Sequence, residues 1–172
     1  MCKFTEIISE RFVLRPLSET DANENYLKWF NDKDVQNFIV SASNTHDINH
    51  LKEYIRQRQN RNDILFLGIF EKESYFHIGN IKYEPISFEN NYAVMGILIG
   101  EKTFRNKGVA KEVLLISSEW LKKHYNIKKI LLGVEKNNLS AIKSYKDLGF
   151  KIKDTPFMKK LHSEILTMVW DL

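Results

Sequence analysis

The stretch Gly100-Glu101-Lys102-Thr103-Phe104-Arg105-Asn106-Lys107-Gly108-Val109-Ala110 decides how the rest of the chain reads. Before it, Ala93 to Ile99 is almost wholly apolar. After it, Val109, Val113, Ile116, Trp120 and Leu121 recur at helical spacing, so the stretch joins a strand to a helix. The first N–H groups of a helix have no intrahelical partner and carry the positive end of its dipole, which suits them to a pyrophosphate. Gly108 lets backbone approach such a ligand closely, and Arg105, Lys107 and Lys111 add positive charge around it. The stretch therefore reads as a phosphate cradle. Taken alone, it reads equally well as an ordinary solvated turn with a few lysines.

The 172 residues, 43% hydrophobic and 28% charged, suit one globular domain over residues 1–172 with a sizeable core. No Pro/Gly/Ser-rich linker or internal repeat divides them. No apolar run approaches the roughly 20 residues of a membrane span, and Met-Cys-Lys-Phe-Thr-Glu lacks the apolar core of a signal peptide, so a soluble cytoplasmic protein is the expectation. A single cysteine, Cys2, cannot form an internal disulfide, which agrees with a reducing compartment. The net charge of +4 suits any polyanionic ligand. Arg56, Arg58 and Arg61 form the densest basic cluster. Without a zinc-finger or RNA-binding signature it reads as a solvated helix face, which disfavours nucleic acid as a partner. His77 falls in an apolar run and His46, His50, His124 and His162 in polar surroundings, none at metal-ligand spacing, so no metal is implied.

Working outward from the cradle, Phe12, Leu14 and Pro16 alternate with Arg11, Val13 and Arg15 as a first strand. Two helices follow. One is capped by Thr20 or Asp21, shares a face among Ala22, Tyr26, Leu27 and Phe30, and ends at Asn31-Asp32. The other is capped by Thr45 or Asp47 and buries Ile48, Leu51 and Ile55. Ile64 to Phe70 and Phe76 to Tyr83 read as a hairpin, and a loop from Glu84 to Asn91 leads to the strand Tyr92 to Gly100. Lys128 to Glu135 supplies the strand after the cradle helix. Asn138 or Ser140 caps a helix stopped by Gly149, and two strands close the chain. The fold class is α/β (α+β): a mixed, mostly antiparallel central sheet of about seven strands flanked by four helices.

With both segments in view, the chain resembles the GNAT acetyltransferases. Their acyl-CoA signature R/Q-x-x-G-x-G/A is matched by Arg105-Asn106-Lys107-Gly108-Val109-Ala110. Their later N-x-x-A-I-x-x-Y-x-x-L-G-F pattern is matched by Asn138, Ala141, Ile142, Tyr145, Leu148, Gly149 and Phe150. The order of strands and helices is similar across essentially the whole chain. Trp29-Phe30-Asn31-Asp32 followed by Val35 resembles the branch of ribosomal-protein N-terminal and small-amine or amino-sugar acetyltransferases.

The resemblance implies acetyl-CoA as cofactor, coenzyme A as product and no metal. It implies that the strand at Met95 to Ile99 splays from the one holding Val134. A pantetheine arm would add along the exposed edge at Ile97, Leu98 and Ile99 while its pyrophosphate lands on Arg105 to Ala110. A backbone N–H within Ile97 to Ile99 would stabilise the oxyanion formed when an amine attacks the thioester. Tyr145 is then the catalytic acid, since a phenol of pKa about 10 stays protonated at neutral pH and can hand its proton to a departing thiolate. Its other reading is a core tyrosine. Asn138 either caps its helix or also binds the pantetheine.

The attacking amine must lose a proton. Ribosomal N-terminal acetylases commonly carry a glutamate five residues before the motif asparagine, where this chain has Gly133. Glu135, on the same strand face, and Glu84 are candidate bases that also read as surface carboxylates. The function expected is transfer of an acetyl group from acetyl-CoA to a primary amine acceptor, directly within a ternary complex, by a monomer or homodimer. A small molecule such as an amino sugar, polyamine or antibiotic is favoured as acceptor. The alternatives are a protein N-terminus, or a module that binds acyl-CoA without catalysis. Acceptor specificity is expected in the helices around Tyr26 to Asn62 and in the loops Glu84 to Asn91 and Thr155 to Glu164.

Overall fold

The computed structural model describes residues 6–33, 35, 47–158 and 163–172; Cys2, Thr45, His46 and His162 lie outside them. Among the described residues eight strands form one sheet: β1 Ile7–Ile8, β2 Phe12–Pro16, β3 Leu65–Glu71, β4 His77–Ser87, β5 Tyr92–Ile99, β6 Lys129–Glu135, β7 Lys151–Ile152 and β8 Ile165–Asp171. Their order across the sheet is β1-β2-β3-β4-β5-β6-β8-β7. Every neighbouring pair is antiparallel except β5 and β6, which run parallel. The α-helices among the described residues are α1 Glu24–Phe30, α2 Ile48–Arg56, α3 Val109–Tyr125 and α4 Leu139–Leu148. This is the mixed architecture the element order predicts. The eighth strand is the two-residue β1, too short to show alternation in the sequence.

Alternation along the strands builds two cores, one on each face of the sheet. Leu65, Leu67 and Ile69 of β3 join Val113, Leu114 and Leu121 of α3 and Ile142 of α4 on one face. Phe66 and Phe70, from the same strand, join Tyr26, Trp29 and Phe30 of α1 and Leu51 and Ile55 of α2 on the other. Burying each such side chain stabilises the fold by about 1.5–3 kcal/mol. Buried polar ties add register: Asn80 Nδ2 donates to Tyr26 Oη at 2.8 Å, and the hydroxyls of Tyr83 and Ser117 share a bond of 2.8 Å.

Two local expectations are corrected. Helix α1 is capped by Asn23, whose side chain accepts from Tyr26 N, and not by Thr20 or Asp21. Asp21 is taken by Arg15, through bonds of 2.6 and 3.0 Å. The segment read as a loop from Glu84 onward continues β4 to Ser87, with a register irregularity between Tyr83 and Ile86 that accommodates Pro85. Asp47 caps α2 as expected, its Oδ1 accepting from His50 N at 2.9 Å.

Candidate active site

The sheet forks between β5 and β6. The two strands pair only at Tyr92–Lys129, Ala93–Ile130 and Val94–Leu131. Beyond these, β5 stays on β4 as far as Ile99 and β6 stays on β8 as far as Glu135. The bond from Gly100 N to Ile78 O, 2.9 Å, makes Gly79–Ile99 a non-hydrogen-bonded pair. Antiparallel alternation then commits the N–H and C=O of Leu98 to β4 and turns those of Ile97 and Ile99 into the fork. On the other arm, the 2.9 Å bond from Lys136 N to Glu164 O sets the same alternation, so Val134 bonds to β8 and Gly133 faces the fork. An extended chain of amides has an edge to join at Ile97, at the Ile99 N–H and at Gly133.

At the wide end of the fork β5 runs into the glycine turn. Gly108 has φ of +73°, caps α3, and has open space where a side chain would stand: an ideal Cβ would meet nothing nearer than Arg11 at 3.9 Å. Only a glycine takes this left-handed geometry without strain while leaving the first amides of α3 uncovered. Asn106, Lys107 and Lys111 are exposed around it, and Val109 and Ala110 begin the helix behind it.

Arg105 does not point outward as an anion ligand would. Its guanidinium donates to Ile99 O at 2.9 Å and Gly100 O at 2.8 Å and pairs with Asp32 at 2.7 Å, clamping the end of β5 to the segment after α1. Arg11 clamps the other side of the turn, donating to Lys107 O at 3.1 Å and pairing with Glu112 at 2.7 Å. Trp29 closes over Gly100, where an ideal Cβ would fall 1.9 Å from the indole, and its Nε1 donates to Glu101 at 3.1 Å. The two signature motifs do not single out Arg11, Asp32 or Trp29: Trp29 and Asp32 belong to the Trp29-Phe30-Asn31-Asp32 resemblance, and Arg11 reads as a strand residue.

Helix α4 starts on Asn138, whose Oδ1 accepts from Ala141 N at 3.2 Å and whose N–H donates to Glu135 O at 3.0 Å. Among the described residues its Nδ2 has no protein partner. Gly149, at φ of +107°, ends the helix. Tyr145 packs against the core beneath the sheet with its ring 5.5 Å from Phe150. Burial pushes its hydroxyl up to about 12, so it is protonated across the neutral range.

The two candidate bases are placed differently. Glu84 accepts from Lys82 Nζ at 2.7 Å and from Arg58 Nε at 3.0 Å. Burial alone would raise its pKa, but the bonds and charges of Lys82 and Arg58 outweigh it and hold the carboxyl below the usual range. Glu135 is half-buried, two residues or roughly 6–7 Å beyond Gly133 toward the wide end of the fork. The space a side chain at Gly133 would enter is met by Met158 Cε at 2.9 Å and Ile165 Cγ2 at 3.1 Å. Gly96 on the opposite arm faces open space, with nothing within 4 Å of an ideal Cβ. The fork is thus covered by α3 and α4 on one face and opens beside Gly96 on the other.

A cavity of about 1030 Å³ lies elsewhere, between the start of α1 and the β3–β4 hairpin, and no residue of β5, β6, α3 or α4 lines it. No group of three or more His, Cys, Asp or Glu side chains that could hold a metal occurs among the described residues, and no described helix is long and apolar enough to cross a membrane.

A parallel strand pair that forks onto a glycine-capped helix defines a class of α/β proteins, and comparison with known proteins specifies it. The acetyltransferase (GNAT) domain matches residues 11–151, and the chain belongs to that family. An uncharacterized protein of Methanocaldococcus jannaschii is 23% identical over 141 residues, covering 82% of this chain; the chain spans only 28% of the length of that relative. The fold is shared with RimL, a ribosomal alpha-N-protein acetyltransferase solved with coenzyme A, at a TM-score of 0.83, 12% identity and 98% coverage of both chains. A spermidine N-acetyltransferase chimera from Vibrio cholerae and hSSAT superposes at a TM-score of 0.78 with 17% identity, over 94% of this chain and 96% of that one.

Proposed function

We propose that this protein is an N-acetyltransferase that moves an acetyl group from acetyl-CoA to a primary amine by direct transfer in a ternary complex, residues 1–172 forming one catalytic domain. The observation that carries the reading is the fork, whose edges at Ile97, Gly133 and the Ile99 N–H lead toward the open amides at Gly108, while Arg105 takes the Ile99 and Gly100 carbonyls. This path suits a chain of amides ending in a pyrophosphate, and acetyl-CoA would supply the activated acyl group there. Ile97 and Ile99 offer the backbone N–H groups that would stabilise negative charge developing on the acyl oxygen, while Leu98 contributes only sheet bonding. Asn138 Nδ2 is available to the amide chain. Arg105 and Arg11 hold the turn in shape, and Lys107, Lys111 and the helix dipole supply the attraction for phosphate.

Tyr145 donates the proton to the leaving thiolate, a role that needs the protonated phenol its burial secures. Glu84 serves as an ion-pair partner instead of a base, because both neighbours favour its charged form. The incoming amine therefore loses its proton to water at the open face or, through water, to Glu135. A small amine is the acceptor we favour, and a protein N-terminus is the alternative within the same chemistry. The two solved enzymes described above, one for spermidine and one for a protein, show that this fold serves both kinds of acceptor.

Gly133, where the resemblance to ribosomal N-terminal acetylases leads one to expect a glutamate, favours a second reading: a module that binds acyl-CoA without turnover. Release of free thiol from acetyl-CoA on addition of primary amines, measured beside calorimetry with coenzyme A, decides between them. Binding with amine-dependent thiol release establishes the transferase. Binding with no release over a broad panel establishes the module, and no binding contradicts both.

A further inference from the structure

The open face of the fork carries a charged cluster that the transfer chemistry does not use. Lys82 on β4 lies opposite Gly96 on β5, and cross-strand neighbours project from the same face about 5 Å apart. The space beside Gly96 is open, so Lys82 borders the route by which an acceptor reaches the fork. Its ammonium donates to Tyr54 Oη at 2.8 Å and pairs with Glu84 at 2.7 Å. Arg58 stacks on the Tyr54 ring at 3.6 Å, donates to Tyr54 O at 3.0 Å and pairs with the same Glu84 oxygen.

Two cations thus converge on one carboxylate, which leaves the cluster with a net charge of +1. Lys82 has three N–H donors and Arg58 five, and the bonds above use two of each. Both side chains are held partly out of water, at 24% and 17% exposure, and Tyr54 holds both in place. A surface ion pair has no need of a second cation or of a tyrosine that orients both. A preorganised pair of donors beside an open cleft is the arrangement that binds an anion.

We infer, resting on the transferase reading, that the acceptor amine carries an anionic group, a phosphate or a carboxylate, within a few bonds of its nitrogen, and that Lys82 and Arg58 bind that group while the amine reaches the fork past Gly96.

The test uses matched amines with the intact protein: O-phosphoethanolamine against ethanolamine, 3-aminopropanoate against 3-aminopropanamide, and spermidine as a polycation. Binding is read by calorimetry on the protein loaded with coenzyme A, and turnover by thiol release from acetyl-CoA. The anionic member of at least one pair should bind and react about tenfold better than its neutral mate, and the pair that shows it distinguishes phosphate from carboxylate. Lys82→Met and Arg58→Gln should each bring that ratio toward one. Glu84→Gln, which removes the competing carboxylate, should raise it, an opposite sign that general loss of folding cannot produce. Equal use of both members, a preference for spermidine, or a fall in the ratio in Glu84→Gln overturns the inference. A retained binding ratio without thiol release would keep the anion site and refute the transferase, whereas thiol release with no ratio would do the reverse.

Discussion

The two faces of the fork are built from different materials. On the side we assign to the donor the proposed working parts are backbone: the edge at Ile97 and Ile99, the left-handed turn at Gly108, and the first amides of α3. On the side we assign to the acceptor they are side chains brought together from distant segments, Tyr54 and Arg58 from α2 and the turn after it, Lys82 and Glu84 from β4, and Met158 from the segment before β8. The difference teaches what each face can vary. Backbone donors recognise a ligand that never changes and tolerate only residues that keep the chain's path. Side chains can be exchanged one at a time, so the same fold accommodates acceptors as unlike as those of the two solved enzymes.

Substitutions can break this comparison at its strongest point first. Tyr145→Phe should lower kcat between about 100- and 10,000-fold, the usual span for loss of a general acid, with the Kd for coenzyme A unchanged. Steady-state thiol release beside calorimetry checks it; an unaltered kcat would remove Tyr145 from the reaction and leave it as core.

Next in size is a pH effect confined to the α1 side of the sheet. His77 is stacked on Phe70 at 4.6 Å and enclosed by Tyr26 and Trp29, and burial pulls its pKa down to about 4. The unfolded chain holds a proton on this residue below about 6.5 that the folded protein refuses, so stability falls as the pH drops from about 6.5 to 4 and is unaffected by this group above that range. The loss should approach about 3 kcal/mol. Chemical denaturation across that range should show the slope in the native protein and a shallower one in His77→Phe, which keeps the ring stack. An equal slope in both would place the effect elsewhere.

Gly108→Val tests the donor side. A branched residue at φ of +73° costs about 1–2 kcal/mol, and the open space over the turn is filled. The Kd for coenzyme A should rise about 20-fold, as that strain relaxes into a moved turn, with little change in acceptor preference. A shift in preference without loss of cofactor affinity would merge the two faces. The smallest effect belongs to Glu135→Gln, expected to change kcat/KM less than about threefold, since water can take the amine's proton. A much larger loss, with the acidic limb of the pH–rate profile abolished, would make Glu135 the base.

How much of this could be read from the chain follows the same division. The strand, glycine turn and helix from Ala93 to Leu121 and the segment Asn138 to Phe150 are contiguous, and their chemistry is local: an uncovered helix start, an N-cap, a glycine stop. The acceptor face left no such trace. Arg58 reads as one of three arginines on a solvated face, yet it lies half-buried on Tyr54 and Glu84. Glu84 reads as the start of a loop and a candidate base, because Pro85 looks like the end of a strand that in fact continues. Lys82 reads as one polar position among apolar ones. The clamps from Arg11 and Asp32 were equally silent, since Arg11 reaches Glu112 across 101 residues of chain. Pairing between distant segments is fixed by the packed sheet and has no period in the sequence.

The central claim is that β5 offers alternate amides, and only those, to the donor substrate. Amide hydrogen exchange read residue by residue, with and without coenzyme A, tests it directly. The account predicts that Leu98 is protected in both states, because its N–H already bonds to β4, and that Ile97 and Ile99 exchange readily alone and become protected when coenzyme A is bound. Equal exchange of Ile97 and Ile99 in the two states, at saturating coenzyme A, would contradict it.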